Sequence, residues 1–167
     1  MRIFLTGATA AVLLGAATAA MAQDGCVSLD RGTLSIGQVL TAAQQQALRS
    51  GAPVGALHCG RTGCTAQAPD GVSYSWRRDG RIVGKRIELT DASGLPGWRG
   101  SIDQAFADGL GRAACTRFTL SEEELEGGYS MQGGLLSTWG GQAMVVNIFG
   151  EGTVEQPLTI ELRAADQ

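Results

Sequence analysis

The chain has four cysteines and one histidine, which could form disulfides, a redox centre or a zinc site. The cysteines are Cys26, Cys59, Cys64 and Cys115. Four residues separate Cys59 from Cys64, whereas a redox-active pair usually has two residues between its cysteines. Zinc could use His58 with this pair, but the chain has no second histidine and a fourth ligand is missing. The spacing therefore favours structural disulfides over a redox centre or a metal site.

Glycines beside Cys59 and Cys64 predict which cysteines pair. They allow a short turn that brings these two sulfur atoms together. Of the three possible connectivities, this one leaves Cys26 to pair with Cys115. A loop-entropy argument gives the short bridge about 2 kcal/mol and the long bridge about 4 to 5 kcal/mol of stabilisation.

Three further kinds of functional site are disfavoured: a nucleophilic serine, a phosphate-binding loop and a pair of catalytic carboxylates. The segment 128–133 around Ser130 has one residue too many for the turn that presents a nucleophilic serine. In the segment 80–86, three residues separate the glycines where a phosphate-binding loop has four. The acidic residues of 122–126 are expected to form an exposed turn, because runs of charge rarely reach a dry site. No motif defines a reaction, so we expect neither an enzyme nor a cofactor; an enzyme of unrecognised type is the alternative.

One short segment combines positive charge with aromatic side chains. Five basic residues occur within ten positions: Arg77, Arg78, Arg81, Lys85 and Arg86. Together with Tyr74 and Trp76 they form our predicted contact surface for a protein partner, since arginine and aromatic residues are enriched at interface hot spots. The alternative is that long cationic side chains only keep a hairpin soluble and protect a sheet edge. Trp98 and Trp139 stand beside glycines and are expected to fill the core or a connector.

The first 22 residues have the features of a secretory signal. Arg2 precedes an uncharged stretch over 3–20, and Ala20-Met21-Ala22 is a small-x-small cleavage pattern. We expect cleavage after Ala22, which would leave 23–167 as one exported domain, soluble and either periplasmic or secreted. In that oxidising environment cysteines form disulfides.

The charge balance narrows the class of partner. The whole chain carries 13 basic and 16 acidic side chains, and removing residues 1–22 leaves 12 basic against 16 acidic. A nucleic-acid-binding protein needs a basic surface, so this balance argues against one. No second apolar run approaches the roughly 18 residues that a membrane span requires.

Two segments predict helices through their capping patterns. Thr41 and Gln44 fit a capping box, and Gly51 is a suitable end for that helix. Ser101 and Gln104 fit a second capping box, followed by apolar residues four apart. Glycines at 109 and 111 weaken the end of this second helix.

The remaining periodicity is that of strands. Val72, Tyr74 and Trp76 alternate with polar residues, and after a turn at 79–80 Val83 is expected to share a face with Ile87 and Leu89. The predicted strands are 72–77, 82–89, 129–131, 135–139, 143–149 and 158–162. The order helix, strands, helix, strands predicts an α+β fold, in which two helices pack on an antiparallel sheet.

A faint internal repeat accompanies this order. Residues 31–34 precede the first helix and the similar residues 99–102 open the second, 68 positions later. A tandem duplication of one helix-plus-meander unit, over 27–93 and 94–167, would explain the similarity. Chance similarity in a chain with 25 glycines is the alternative.

The first half resembles one repeat of the β-lactamase inhibitor protein fold, which small outer-membrane assembly lipoproteins share. The resemblance covers an apolar-x-x-Gly stretch leading into a helix (34–50), a cysteine-bearing segment (57–64) and a strand pair (74–89), in which 79–86 is similar to the family's turn and following strand. Gln38 and Val39 replace a frequent Met-Thr, and the cysteine spacing differs from the inhibitor's. The resemblance implies a module without catalysis that presents one face of its sheet to another protein, here expected in the cell envelope. A structural envelope protein with no single partner is a further alternative.

Overall fold

The structure is a computed structural model that describes residues 25–123, 128–136 and 143–165. Within these ranges the chain forms two helices and eight strands. The helices are α1 (Ala42–Gly51) and α2 (Gln104–Ala113). The strands are β1 (Leu57–Cys59), β2 (Gly63–Gln67), β3 (Ser73–Arg77), β4 (Ile82–Leu89), β5 (Phe118–Glu123), β6 (Gly128–Leu136), β7 (Ala143–Phe149) and β8 (Leu158–Ala164). The predicted signal segment and its cleavage after Ala22 lie outside the described residues, as does Trp139.

The predicted α+β class is confirmed. All eight strands form one sheet in the order β1-β2-β3-β4-β8-β7-β6-β5, and every neighbouring pair is antiparallel. Each half of the chain is a helix followed by a four-stranded meander, and the two meanders join through their last strands, β4 and β8. The two halves thus share one order of elements; a duplication as the origin of that order stays a prediction.

Helix α1 begins where the sequence predicts. The Thr41 hydroxyl accepts a hydrogen bond from the backbone N–H of Gln44 at 3.2 Å, and the Gln44 side chain accepts one from the Thr41 N–H at 2.9 Å. These bonds satisfy N–H groups that have no partner inside the helix. The helix ends at Gly51 and buries Leu48 against the sheet.

Helix α2 begins two residues later than the predicted capping box, so Ser101 is not its cap. Asp103 caps the helix instead, accepting from the Phe106 N–H at 2.7 Å. The helix continues through Gly109, where a Cβ atom would lie 3.1 Å from the Cα of Gly97. That glycine therefore allows a close approach between the helix and the preceding connector, which offsets its low helix propensity.

Three strand predictions needed correction. β1 and β2 form where only a cysteine-containing turn was expected. β6 is one continuous strand over Gly128–Leu136 where strands 129–131 and 135–139 were expected, and Glu122 and Glu123 belong to β5 rather than to a turn. The other residues of these predictions, 124–126 and 137–139, lie outside the described residues. Weak apolar alternation hides these strands, because pairing with neighbouring strands stabilises them more than their own composition does.

Alternate side chains of the strands face one apolar core. Members from both halves include Trp76, Ile82, Phe106, Ile148 and Ile160, each at most 2% exposed. Trp98 packs edge-on against Phe106, with ring centroids 5.0 Å apart, which confirms its predicted core role. Full burial of one such side chain is worth roughly 1.5–3 kcal/mol.

Both predicted disulfides are present. Cys26–Cys115 spans 89 residues and ties the N-terminal segment to the end of α2. Cys59–Cys64 joins two residues that face each other across β1 and β2. Since both sulfur atoms of this pair are covalently bonded to each other, they cannot serve as zinc thiolates.

Candidate functional site: the open face of the sheet

The side of the sheet opposite the core is a broad polar surface. Both described helices pack on the core side, where Leu48 and Phe106 join the apolar cluster of the strands. The outward-facing strand residues are mostly hydroxyl, amide and charged side chains that are partly or fully exposed. We call this side the open face.

The strand register aligns the open-face side chains in rows. One row crosses seven strands from β2 to β5: Gln67, Ser73, Arg86, Glu161, Asn147, Gln132 and Thr119. The next row runs from β1 to β6: His58, Thr65, Ser75, Gly84, Arg163, Val145 and Gly134. Neighbours within a row lie close enough to interact. Every side chain of the first row can form hydrogen bonds, whereas Gly84, Val145 and Gly134 interrupt the second row.

Charged residues of the two halves meet where β4 pairs with β8. The Glu161 carboxylate is 2.7 Å from Nη2 of Arg163 and 4.0 Å from Nη1 of Arg86. Arg86 also donates from Nε to Glu88 at 3.0 Å, and its guanidinium lies 5.9 Å from the centre of the Phe149 ring. Exposed ion pairs of this kind contribute at most about 1 kcal/mol. Only the Arg86–Glu161 pair joins the two strands, since the other two pairs link residues two positions apart on one strand.

A groove of about 470 Å³ lies beside these charges on the β1–β4 side. Its floor carries Thr65 and Ser75, whose hydroxyls are hydrogen-bonded at 2.8 Å, and Gly84, which has no side chain to fill the space. His58 and Arg163 contribute to its walls. Across the described ranges, no three His, Cys, Asp or Glu side chains converge to bind a metal ion. Because hydroxyl, imidazole and guanidinium groups line it, the groove can form hydrogen bonds and ion pairs with a ligand or a partner.

Three residues of the predicted contact surface face the core instead. Tyr74, Trp76 and Lys85 are 0%, 2% and 4% exposed. Tyr74 lies opposite Lys85 across β3 and β4, and the register shifts between Ser75 and Trp76. These three cannot contact a partner, so this part of the prediction is wrong. The same irregularity explains why Val83 lines the open-face side next to Ser75, not the face shared by Ile87 and Leu89.

Lys85 and Tyr74 have structural partners. The Lys85 ammonium pairs with Asp30 and donates to the Arg31 carbonyl at 3.1 Å. The Tyr74 hydroxyl donates to Asp70 at 2.7 Å and accepts from the Thr33 N–H at 2.9 Å. Burial and the bond to Asp70 raise the pKa of Tyr74 to about 12. These contacts hold the segment before α1 against β3 and β4.

Asp70 is held in its charged form by the same cluster. Burial alone would raise its pKa, but hydrogen bonds from Tyr74, Val72 and Thr33 outweigh burial and lower it. A carboxylate that accepts several hydrogen bonds is stabilised as the anion. Its oxygens are used within the fold, so Asp70 has a structural role.

The four predicted arginines are exposed but do not form one surface, because they lie in three different places. Arg86 belongs to the charged network of the open face. Arg77 and Arg78 lie beside the Cys59–Cys64 turn. Arg81 is 3.9 Å from the Asp79 carboxylate and donates to the Gly37 carbonyl at 3.3 Å. Their role in binding stays a prediction.

Sequence reasoning missed the open-face residues of the second half, among them Asn147, Phe149, Glu161 and Arg163. Alternation within 143–149 and 158–164 would place them opposite the apolar residues of their strands. Nothing local indicates that β8 pairs with β4, so their meeting with Arg86 could not be foreseen.

Over residues 25–123, 128–136 and 143–165, the fold and this surface define an α+β protein with a single sheet and one polar face that its two helices leave uncovered. No protein-family model matches the chain, and no curated protein or solved structure matches it either. The resemblance to the β-lactamase inhibitor protein fold therefore stays a prediction. No helix among the described residues is long and apolar enough to cross a membrane.

Proposed function

We propose that this protein is a non-catalytic binding module that presents its open face to another protein of the cell envelope. The observation that carries the proposal is the polar row that crosses seven strands in register, from Gln67 to Thr119, on the side that the two described helices leave uncovered. An exported location is part of the proposal, supported by the two disulfides.

The dimensions of the open face suit a protein partner. Eight strands about 4.8 Å apart span roughly 34 Å. The strands have three to nine residues and extend about 10–30 Å in the other direction. The face therefore offers on the order of 700 Å², close to the roughly 800 Å² that each partner contributes to a standard interface.

The shape of the groove also favours a protein over a small molecule. Small-molecule sites are concave, mostly apolar, and enclose about 70–90% of their ligand. The groove on the open face is bordered by hydroxyl, imidazole and guanidinium groups and lies open to solvent. Such a surface resembles the polar, partly hydrated periphery of protein interfaces.

Site-specific photocrosslinking tests the proposal. A photoreactive amino acid is introduced at Gln132, an exposed open-face position, and at Gln46, an exposed position on α1, as the matched control. Cells expressing the full chain are irradiated and the adducts identified by mass spectrometry. We expect one defined protein adduct from position 132 and none from position 46. Adducts from the helix position alone, or from neither position, would contradict an open-face interface.

A second pair of variants then checks the charged centre of the face. Arg163→Glu should abolish the adduct from position 132, because it reverses the charge in the middle of the rows. Arg99→Glu, at an exposed position outside the strands, should leave it unchanged.

A further inference from the structure

We infer that three arginines beside the Cys59–Cys64 turn form a carboxylate-binding pocket, which receives an acidic segment of the protein partner. This inference rests on the proposed function and specifies the chemistry of the partner. The pocket has a volume of about 210 Å³ and is lined by Arg49, Arg77, Arg78, Gly60, Gly63, Trp76 and the disulfide.

The three arginines reach the pocket from different elements. Arg49 belongs to the last turn of α1, Arg77 ends β3, and Arg78 follows in the turn towards β4. All three are exposed. The disulfide holds the adjoining turn closed, and the backbone N–H of Arg78 donates to the Thr62 carbonyl at 3.2 Å. The three arginines therefore line one pocket, beside a turn that the disulfide and this hydrogen bond hold in place.

Gly63, the first residue of β2, lies against β3 beside the pocket. A Cβ atom at this position would overlap the backbone of Trp76 and lie 2.9 Å from the Cα of Arg77. Only glycine therefore lets the start of β2 lie this close to β3, next to the disulfide that also lines the pocket.

The arginines of the pocket differ from three other arginines of the chain in their ion pairing. Arg81, Arg86 and Arg163 each have a carboxylate within 4.0 Å. In the part of the chain that the structure describes, none of the ion pairs involves Arg49, Arg77 or Arg78. Guanidinium groups bind carboxylates through paired hydrogen bonds. The pocket is thus suited to an anionic group supplied from outside.

Charge is also distributed unequally between the two halves. Residues 25–89 contain eight Arg and Lys against four Asp and Glu, whereas 90–165 contain four against ten. An acidic segment of the partner is consequently attracted to the β1–β4 half rather than to the other. This asymmetry orients the partner on the sheet.

The pocket is continuous with the open face. A second groove, lined by His58, Thr65 and Ser75 at one end and by Gly60, Gly63 and Arg77 at the other, connects the two. A protein seated on the rows of the open face can therefore extend a segment of chain around the β1 edge into the pocket. This continuity favours an acidic protein segment over an isolated anion.

The other half of the molecule supplies a matched control. Arg112 and Arg117 line a depression beside Cys115, as Arg49 and Arg77 do beside Cys59, but the acidic side chain of Asp108 lies among them. Loss of two arginines there removes the same charge without altering the proposed pocket.

The experiment measures binding of a fluorescein-labelled hexaglutamate peptide to the purified full chain by fluorescence anisotropy. The variants are Arg77→Gln with Arg78→Gln and, as control, Arg112→Gln with Arg117→Gln. We expect binding that weakens with added salt, and at least about tenfold weaker binding for the Arg77–Arg78 variant, as expected from the loss of charge-assisted hydrogen bonds. The control should bind within about twofold of the unmodified protein. Circular dichroism and thermal unfolding establish that both variants fold.

Several outcomes would overturn the inference. These are no hexaglutamate binding at low salt, equal losses in both variants, or binding of anionic lipid vesicles or inorganic phosphate in place of the peptide. An open-face crosslink without hexaglutamate binding refutes the pocket and leaves the proposed function standing. Hexaglutamate binding at the pocket without an open-face crosslink refutes the proposed function instead.

Discussion

Lys85 and Asp30 form an ion pair inside the protein, where their side chains are 1% and 8% exposed. The Lys85 ammonium also lies 5.6 Å from the centre of the Tyr74 ring. Because the two charges come from positions 55 residues apart, the pair fastens the N-terminal segment to the middle of the sheet. The strand that carries Lys85 also presents Arg86 to the open face, so the buried pair supports the surface on the other side.

Removing only one residue of this ion pair should destabilise the fold strongly. Asp30→Ala leaves the Lys85 charge buried without its partner, which costs about 3–5 kcal/mol of unfolding free energy. Lys85→Met combined with Asp30→Leu removes both charges and should cost less than the single change. Urea unfolding monitored by tryptophan fluorescence measures both. A double variant less stable than Asp30→Ala would contradict the prediction.

Tyr74 should make stability fall in strongly alkaline solution. Its pKa is raised from 10.0 to about 12, so its contribution is complete below pH 10 and is lost as the pH rises towards 12. A pKa shift of this size corresponds to roughly 2–3 kcal/mol of unfolding free energy. Tyr74→Phe removes the ionisable group, and the difference between the two stability curves isolates its effect from that of the lysine and arginine residues. Parallel curves between pH 9 and 12 would show that Tyr74 is not responsible.

The two disulfides should differ in their contributions to stability. Replacing Cys26 and Cys115 by serine opens the loop of 89 residues and should cost about 4–5 kcal/mol. The same change at Cys59 and Cys64 opens a loop of five residues and should cost about 2 kcal/mol. Chemical denaturation of the two double variants provides the comparison. A thiol assay on the native protein should find no reactive cysteine, and two or more titratable thiols would refute the pairing.

Gly133 and Gly134 provide a matched test of the two faces of the sheet. A Cβ atom at Gly133 would lie 2.9 Å from the Phe118 ring on the core side, whereas one at Gly134 would meet no atom within 4 Å. Gly133→Ala should therefore cost about 1–3 kcal/mol through overpacking. Gly134→Ala should stay within about 0.5 kcal/mol of the unmodified protein. Thermal unfolding measures both, and equal effects would contradict the assignment of the faces.

Local patterns predicted much of the fold. The Thr41 capping box, the turn at Asp79 and Gly80, and the strands Ile82–Leu89 and Ala143–Phe149 all occur where the sequence indicates them. These features depend on interactions between residues a few positions apart, which are present in the sequence itself. The short strand β1 and the strand β5 escaped prediction because contacts with distant strands stabilise them.

The sequence predicted the candidate site less well than it predicted the fold. A run of basic and aromatic residues between 74 and 86 was expected to form one surface. Strand alternation places Tyr74, Trp76 and Lys85 on the core side, while Arg77 and Arg86 project to the other. A buried lysine is expensive unless a carboxylate compensates it, and Asp30 could be recognised as that partner only in three dimensions.

The amino-acid sequence alone determined the start of α1, the period of several strands, the cysteine pairing and the balance of charge, because short-range geometry and composition govern them. The tertiary structure decided that β4 pairs with β8, that Lys85 is buried against Asp30, and that Arg86 meets Glu161 and Arg163 on one open face. These relations join residues 55 to 79 positions apart. Their free energies arise from burial and from strand pairing across the whole sheet, which no short segment of the chain encodes.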